Sequence, residues 1–271
     1  MRLADLLPKP SFWALTRASV REFLAYPADV FMEFFTYPVV FFSYYCFLQA
    51  LSKGSPQASV FPLKQLAVYY SLGWLLRMIF HQQTDLIVSG LVARGDIVQH
   101  LLRPVNFSIA MRARALGRAG ARLLVYSLPA FLLMLGALSS FRTYLPANPL
   151  LFLAFALAGF LILFELQFLI GCIAFYTTMN FQISWTLDML IRLCSGLVVP
   201  LAYFPAGVST ALGYTPLPYI YSVPIQAWIS PGGTRDWRLA LLTGAGWIVA
   251  LYWINRGVLK SALTRLSING G

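Results

Sequence analysis

Four charged side chains stand where charge is costly. Arg77, Glu165, Asp188 and Arg192 each interrupt a long apolar stretch of this 271-residue chain. A charge held inside a lipid-facing helix must be paired or must face water. Two of these four are cations and two are anions, so the set can neutralise itself, and Asp188 and Arg192 are four residues apart on one helix face. Two readings are open: a substrate-path or gating network, and an ion-pair lock between three helices. A self-neutralising set argues against a simple ion-selective site. It also argues against a lone carboxylate that carries protons.

Other chemistry finds little support. The four lysines, Lys9, Lys53, Lys64 and Lys260, never follow a glycine, so the phosphate-cradling Gly-Lys pair of a P-loop is missing. The two histidines, His81 and His100, are 19 positions apart and do not have metal-ligand spacing. No GxSxG elbow is present. We therefore expect no catalytic residue, no metal site and no cofactor bound by the chain itself. Cys46, Cys172 and Cys194 each lie in apolar sequence. They read as buried small hydrophobes and not as a disulfide framework.

The elements that hold the four charges follow from composition. Hydrophobic residues make up 59% of the chain and charged residues 11%, with a mean hydropathy of +0.71. A soluble domain needs about a quarter of its residues charged to coat its surface. The chain reads as one all-α integral membrane domain, with 1–28 an interfacial segment, 30–256 a six-span core and 257–271 a tail. Six apolar runs approach the ~20 residues needed to cross a bilayer: about 30–51, 63–83, 122–140, 149–176, 183–203 and 238–256. The net charge of +11 is spread between these runs; it encodes topology and does not mark a nucleic-acid surface. With the N-terminus inside, thirteen of the twenty basic residues fall in inner segments and five in outer ones. The expectation is a multi-pass protein of the cell (inner) membrane with both termini cytoplasmic. The N-terminal MRLADLLPKPSF shows no compact apolar run with a cleavage site, so no cleavable signal is expected.

Two apolar segments do not cross. In SFWALTRASVREFLAY, residues 11–26, Phe12, Trp13, Val20, Phe23 and Leu24 share one arc, while Arg17, Arg21 and Glu22 lie elsewhere. This predicts a helix lying in the inner interface, or one packed on a partner. Residues 204–231 carry Pro205, Pro216, Pro218, Pro224 and Pro231. They read as two short helices about a GYTPLP turn, either a re-entrant hairpin or surface helices of an outer loop. Small residues four apart, Ala154/Ala158 and Ala240/Gly244, would permit close helix contacts.

The stretch GLVARGDIVQHLLRPV, residues 90–105, is the exception in an apolar chain. Gly95 and Asp96 precede Ile97, Val98, Leu101, Leu102 and Val105; Pro104 discourages continuation. Asp96 is a good N-cap residue and Arg103 suits a helix C-terminus. The sequence predicts a short capped helix with an apolar side, inside the cell, within a loop spanning 84–121.

SGLVARGDIVQHLLRPVN, set between the second and third spans, resembles the segment found there in ABC-2 type transporter permeases. An interfacial N-terminal helix, six spans and a broken hairpin before the last span are similar to that family over essentially the whole chain. The resemblance implies the transmembrane subunit of an ATP-binding cassette exporter for hydrophobic or amphipathic cargo. Gly95, Asp96, Ile97, Leu101, Leu102, Arg103 and Pro104 would then form the coupling helix. It would dock a separate nucleotide-binding ATPase subunit that holds ATP and Mg. A second permease chain, identical or related, would complete the pathway in the lipid bilayer. The rival class, an ion-gradient-driven secondary transporter, should show matching broken helices in two halves; here the interruption occurs once. A membrane-embedded enzyme or scaffold would want a polar cluster at one interface, and none is found.

Overall fold

The computed structural model describes residues 10–25, 61–137, 148–177, 180–229 and 236–264, with isolated positions at 32–46 and 146. The described residues are helical and contain no strand. The first predicted span, 30–51, falls mostly outside them. Helix α1 covers Pro10–Leu24, α2 Leu63–Phe80, α3 Thr84–Ala93, α4 Ile97–Leu101 and α5 Phe107–Arg122. A π-helical turn at Leu123–Ser127 joins α5 to α6, Leu128–Ala137. Then come α7, Pro149–Cys172; α8, Asn180–Cys194; α9, Ala206–Gly213; α10, Ser222–Ile229; and α11, Trp237–Leu263.

Three helical stretches among the described residues are long and apolar enough to cross a membrane: Phe107–Gly136, Pro149–Phe175 and Trp237–Leu263. α7 is the keel. Phe155, Ile162, Leu163, Phe164 and Phe168 are fully buried on it, and α3, α10 and α11 pack around it. Two glycines allow the closest approaches. A methyl group on Gly159 would come within 2.7 Å of the Tyr219 carbonyl, and one on Gly171 within 2.8 Å of Val88. The sequence-based small pairs fare differently. Ala240 and Gly244 do face inward, Gly244 against Tyr219. Ala154 is exposed, and α7 uses Phe155 and Gly159 in its place.

Three boundaries differ from the sequence-based ones. The helix of the second predicted span stops at Phe80: residues 81–83 leave the helix, Gln83 takes a left-handed φ of 52°, and α3 restarts as a separate helix on α7. The third span does not begin near 122. Its helix starts at Phe107, where Asn106 caps it by accepting from the Ser108 and Ile109 amides at 3.0 and 3.4 Å. The alanine-rich run that follows is strongly helix-forming, so the segment between the long helices shrinks from the expected 84–121 to 94–106, with α4 inside it. The helix of the fifth predicted span ends at Cys194, short of 203, because Gly196 turns the chain with a φ of +86°. The Tyr69 hydroxyl donates to the Gly196 carbonyl at 2.6 Å and that of Tyr70 to Val198 at 3.0 Å. These bonds tie the end of α8 to α2.

The segment 204–231 forms two short helices, as its prolines predict, but they are unequal. α10 is buried, with Val223, Ile225 and Ala227 fully inaccessible. α9 buries none of its residues.

Candidate coupling segment and intramembrane charge sites

Residues 94–106 form the turn between α3 and α5. Gly95, at φ +75°, makes the reversal in a conformation that L side chains rarely adopt. Asp96 does not cap. Its backbone is already helical, and its carboxylate accepts from the Arg94 Nε at 3.0 Å. α4 is one short turn, Ile97–Leu101. Arg103 and Pro104 lie beyond its end and are exposed, so the helix-dipole role expected for Arg103 does not apply. The apolar residues divide. Ile97 is fully buried and roots the turn in the body, Leu101 is half-buried, Val98 is exposed, and Leu102 is 80% exposed. His100 sits edge-on to Phe107 at 6.3 Å. Burial, together with the Arg103 and Arg114 charges, holds its imidazole below the ordinary histidine range.

The four charges expected within the membrane form two sites, not one. Glu165 is 3% exposed and belongs to a separate cluster with residues that the sequence reading did not single out. The Arg112 guanidinium grips its Oε1 through Nη2 at 2.6 Å and Nε at 3.2 Å. Asn255 Nδ2 donates to Oε2 at 2.6 Å and to the Glu165 carbonyl at 2.8 Å. The guanidinium also lies over Tyr252, 4.9 Å from the ring centre, and near Phe164. Charge, hydrogen bonds and aromatic faces together satisfy a buried carboxylate and join α5, α7 and α11. Arg112 was hidden because its segment reads as a loop. Asn255 was legible as a lone amide in the last apolar run.

The second site joins α2 to α8. Asp188 Oδ2 accepts from Arg192 on the same helix, through Nε at 2.7 Å and through Nη2. It also sits 3.6 Å from Arg77 Nη2. Buried Tyr221 adjoins Arg77. The spacing of Asp188 and Arg192 predicts this pair, and Arg77 joins it as expected.

α1 packs along α5, and the approach is close: a methyl group on Gly117 would clash with the Thr16 carbonyl. Ser19 is buried there, and Glu22 takes Arg114 at 2.5 Å and Arg118 at 3.3 Å. Phe23, expected on the lipid face, turns into the protein beneath the Arg122 guanidinium at 5.3 Å and edge-on to Tyr126. Trp13, 51% exposed, stays outside with Arg17 and Arg21. These three recur every four residues on one outer face.

A family model described as ABC-2 family transporter protein matches residues 40–270. No curated protein matches the chain. The chain belongs to the ABC-2 family of transporter proteins, the membrane components of ABC transporters, and its apolar helices are those of a multi-pass membrane protein.

Proposed function

We propose that this ABC-2 family chain is the permease subunit of an exporter, and that residues 95–104 couple it to a separate nucleotide-binding subunit. In this reading the partner holds ATP and Mg and supplies the energy. A second permease chain closes the pathway. The N- and C-termini and the 94–106 turn lie on the inner side of the cell membrane, as the distribution of Lys and Arg favours.

One observation carries the reading: Leu102 stands almost fully exposed at the tip of a turn whose other anchor, Ile97, is fully buried. An apolar side chain held out on a rigid root is what a docking helix needs, because force applied at the tip reaches the body. The root connects onward. Ile97 belongs to the same apolar core as Phe107 of α5 and Val88 of α3, and α3 lies along the keel. Motion of the turn would thus be delivered to α5, and through Arg112 and Glu165 to α7 and α11. Cargo is then a hydrophobic or amphipathic molecule moved outward between two such chains.

The test is accessibility. In a background lacking native cysteines, Leu102→Cys should react with a membrane-impermeant maleimide in inside-out vesicles and not in whole cells. Co-expressed ATPase subunit should protect it. Labelling from the outside, or labelling indifferent to the ATPase, overturns the proposal.

A further inference from the structure

α11 has two unlike sides. Gly244, Leu251, Asn255 and Ala262 are buried, and the Asn255 bonds to Glu165 fix the rotation of the helix. Opposite them, within an arc of about 60° at 3.6 residues per turn, stand Leu242, Val249, Trp253, Arg256 and Lys260. The three apolar members are 71%, 55% and 55% exposed. Both cations are exposed as well. No Asp or Glu occurs anywhere between Trp237 and Gly271, so the helix that carries these cations brings no anion of its own.

The levels of these residues match a bilayer. Arg238 and Arg256 lie about 27 Å apart along the helix axis, close to the ~30 Å of the hydrocarbon, so they bracket it. Trp253 then sits about one turn inside the edge, and Lys260 about 6 Å beyond it, at headgroup depth. From Leu242 to Trp253 the apolar track runs about 16 Å, the length of one leaflet's acyl chains. The Arg256 guanidinium lies over the Trp253 ring, 5.4 Å from its centre. Stacking of this kind holds the group in place and leaves its in-plane N–H donors for another partner.

We infer that this face of α11 is a binding site for an anionic phospholipid of the inner leaflet, its phosphate between Arg256 and Lys260 and an acyl chain along Trp253, Val249 and Leu242. Charge decides the occupant. An anionic headgroup meets both cations, through paired guanidinium donors and the ammonium. A zwitterionic headgroup brings a cation of its own. A second copy docked symmetrically on this face would set Arg256 and Lys260 against themselves. The leaflet rests on the inner placement of the C-terminus in the exporter reading; the headgroup preference does not.

The test uses the full chain in phosphatidylcholine discs that contain, at low mole fraction, phosphatidylglycerol or phosphatidylcholine carrying a diazirine at the glycerol end of one acyl chain. After photolysis, crosslinks within residues 253–260 should favour the phosphatidylglycerol probe about twentyfold, about fivefold for each of two basic side chains at an anionic headgroup. High salt should shrink the ratio. Arg256→Gln with Lys260→Gln should bring it near one. Arg256→Lys, which keeps the charge, should preserve most of it, and Arg238→Gln at the other end of α11 should leave it unchanged. Equal labelling of the wild type by the two probes overturns the inference. So does a preference that survives in the double glutamine variant, or a face that crosslinks to a second chain and takes no lipid. Sidedness is read separately: Lys260→Cys, in a background lacking native cysteines, should react with a membrane-impermeant maleimide from the inside. Reaction from the outside overturns the exporter topology and the inner-leaflet assignment. A lost headgroup preference with inside labelling overturns only the lipid site.

Discussion

At the scale of single residues, the buried carboxylates set the strongest expectations. Glu165 is enclosed, and Arg112 is its charge partner. Removing one member leaves an uncompensated buried charge, which costs about 3–5 kcal/mol. Arg112→Ala should therefore lower the unfolding temperature markedly, and Glu165→Gln in that background should recover part of the loss; additive effects in a thermal-denaturation cycle would contradict the pairing. Arg192→Ala should be relieved by Asp188→Asn and not by Glu165→Gln, because Glu165 contacts neither. Asp85 offers a test by pH. Burial pushes its carboxyl above the usual carboxylate value of 3.8. The folded protein thus holds that proton at a pH where the unfolded chain has lost it. The stability this group contributes is full below the unfolded value and is lost as pH rises through the raised one. Asp85→Asn should flatten that decline in melting temperature, and an unchanged slope would contradict the burial. The i,i+4 pair of Asp188 and Arg192 was legible in sequence. The partners of Glu165 were not, since spacing along a chain does not say which helices meet.

At the scale of elements, the α1–α5 seam is the informative case. The amphipathic pattern of residues 11–26 does predict α1, and the Ala/Arg alternation of 107–122 is plain in the sequence. What periodicity cannot show is that Gly117 lets the two helices touch, so that Phe23 leaves the lipid face for Arg122 and Tyr126. Helix breaks were harder to read for a related reason. Gln83, with its left-handed φ, sets α3 off from α2 at a residue with no helix-breaking reputation, and Asn106 starts a helix inside what polarity marked as a loop. Gly117→Leu should pry α1 from α5, at a cost of about 1–3 kcal/mol typical of overpacking. Protease cleavage near Arg17 and Arg21 should then speed up; an unchanged digestion pattern would mean that the seam does not hold α1.

At the scale of the whole molecule, composition and charge distribution foretold a helical membrane protein, and the family match bears that out. The chain offers a rooted, exposed tip at 95–104 and buried ionic joints between α5, α7 and α11. In the function proposed above, these would transmit work supplied from outside the chain. The measurement that bears most directly on this is the ATP hydrolysis rate of the purified complex with its ATPase subunit, for the wild type and for Leu102→Asp. The account predicts that the aspartate abolishes the stimulation which the permease gives its ATPase, while melting temperature and membrane insertion stay as in the wild type. Full stimulation by a well-folded Leu102→Asp permease would contradict it.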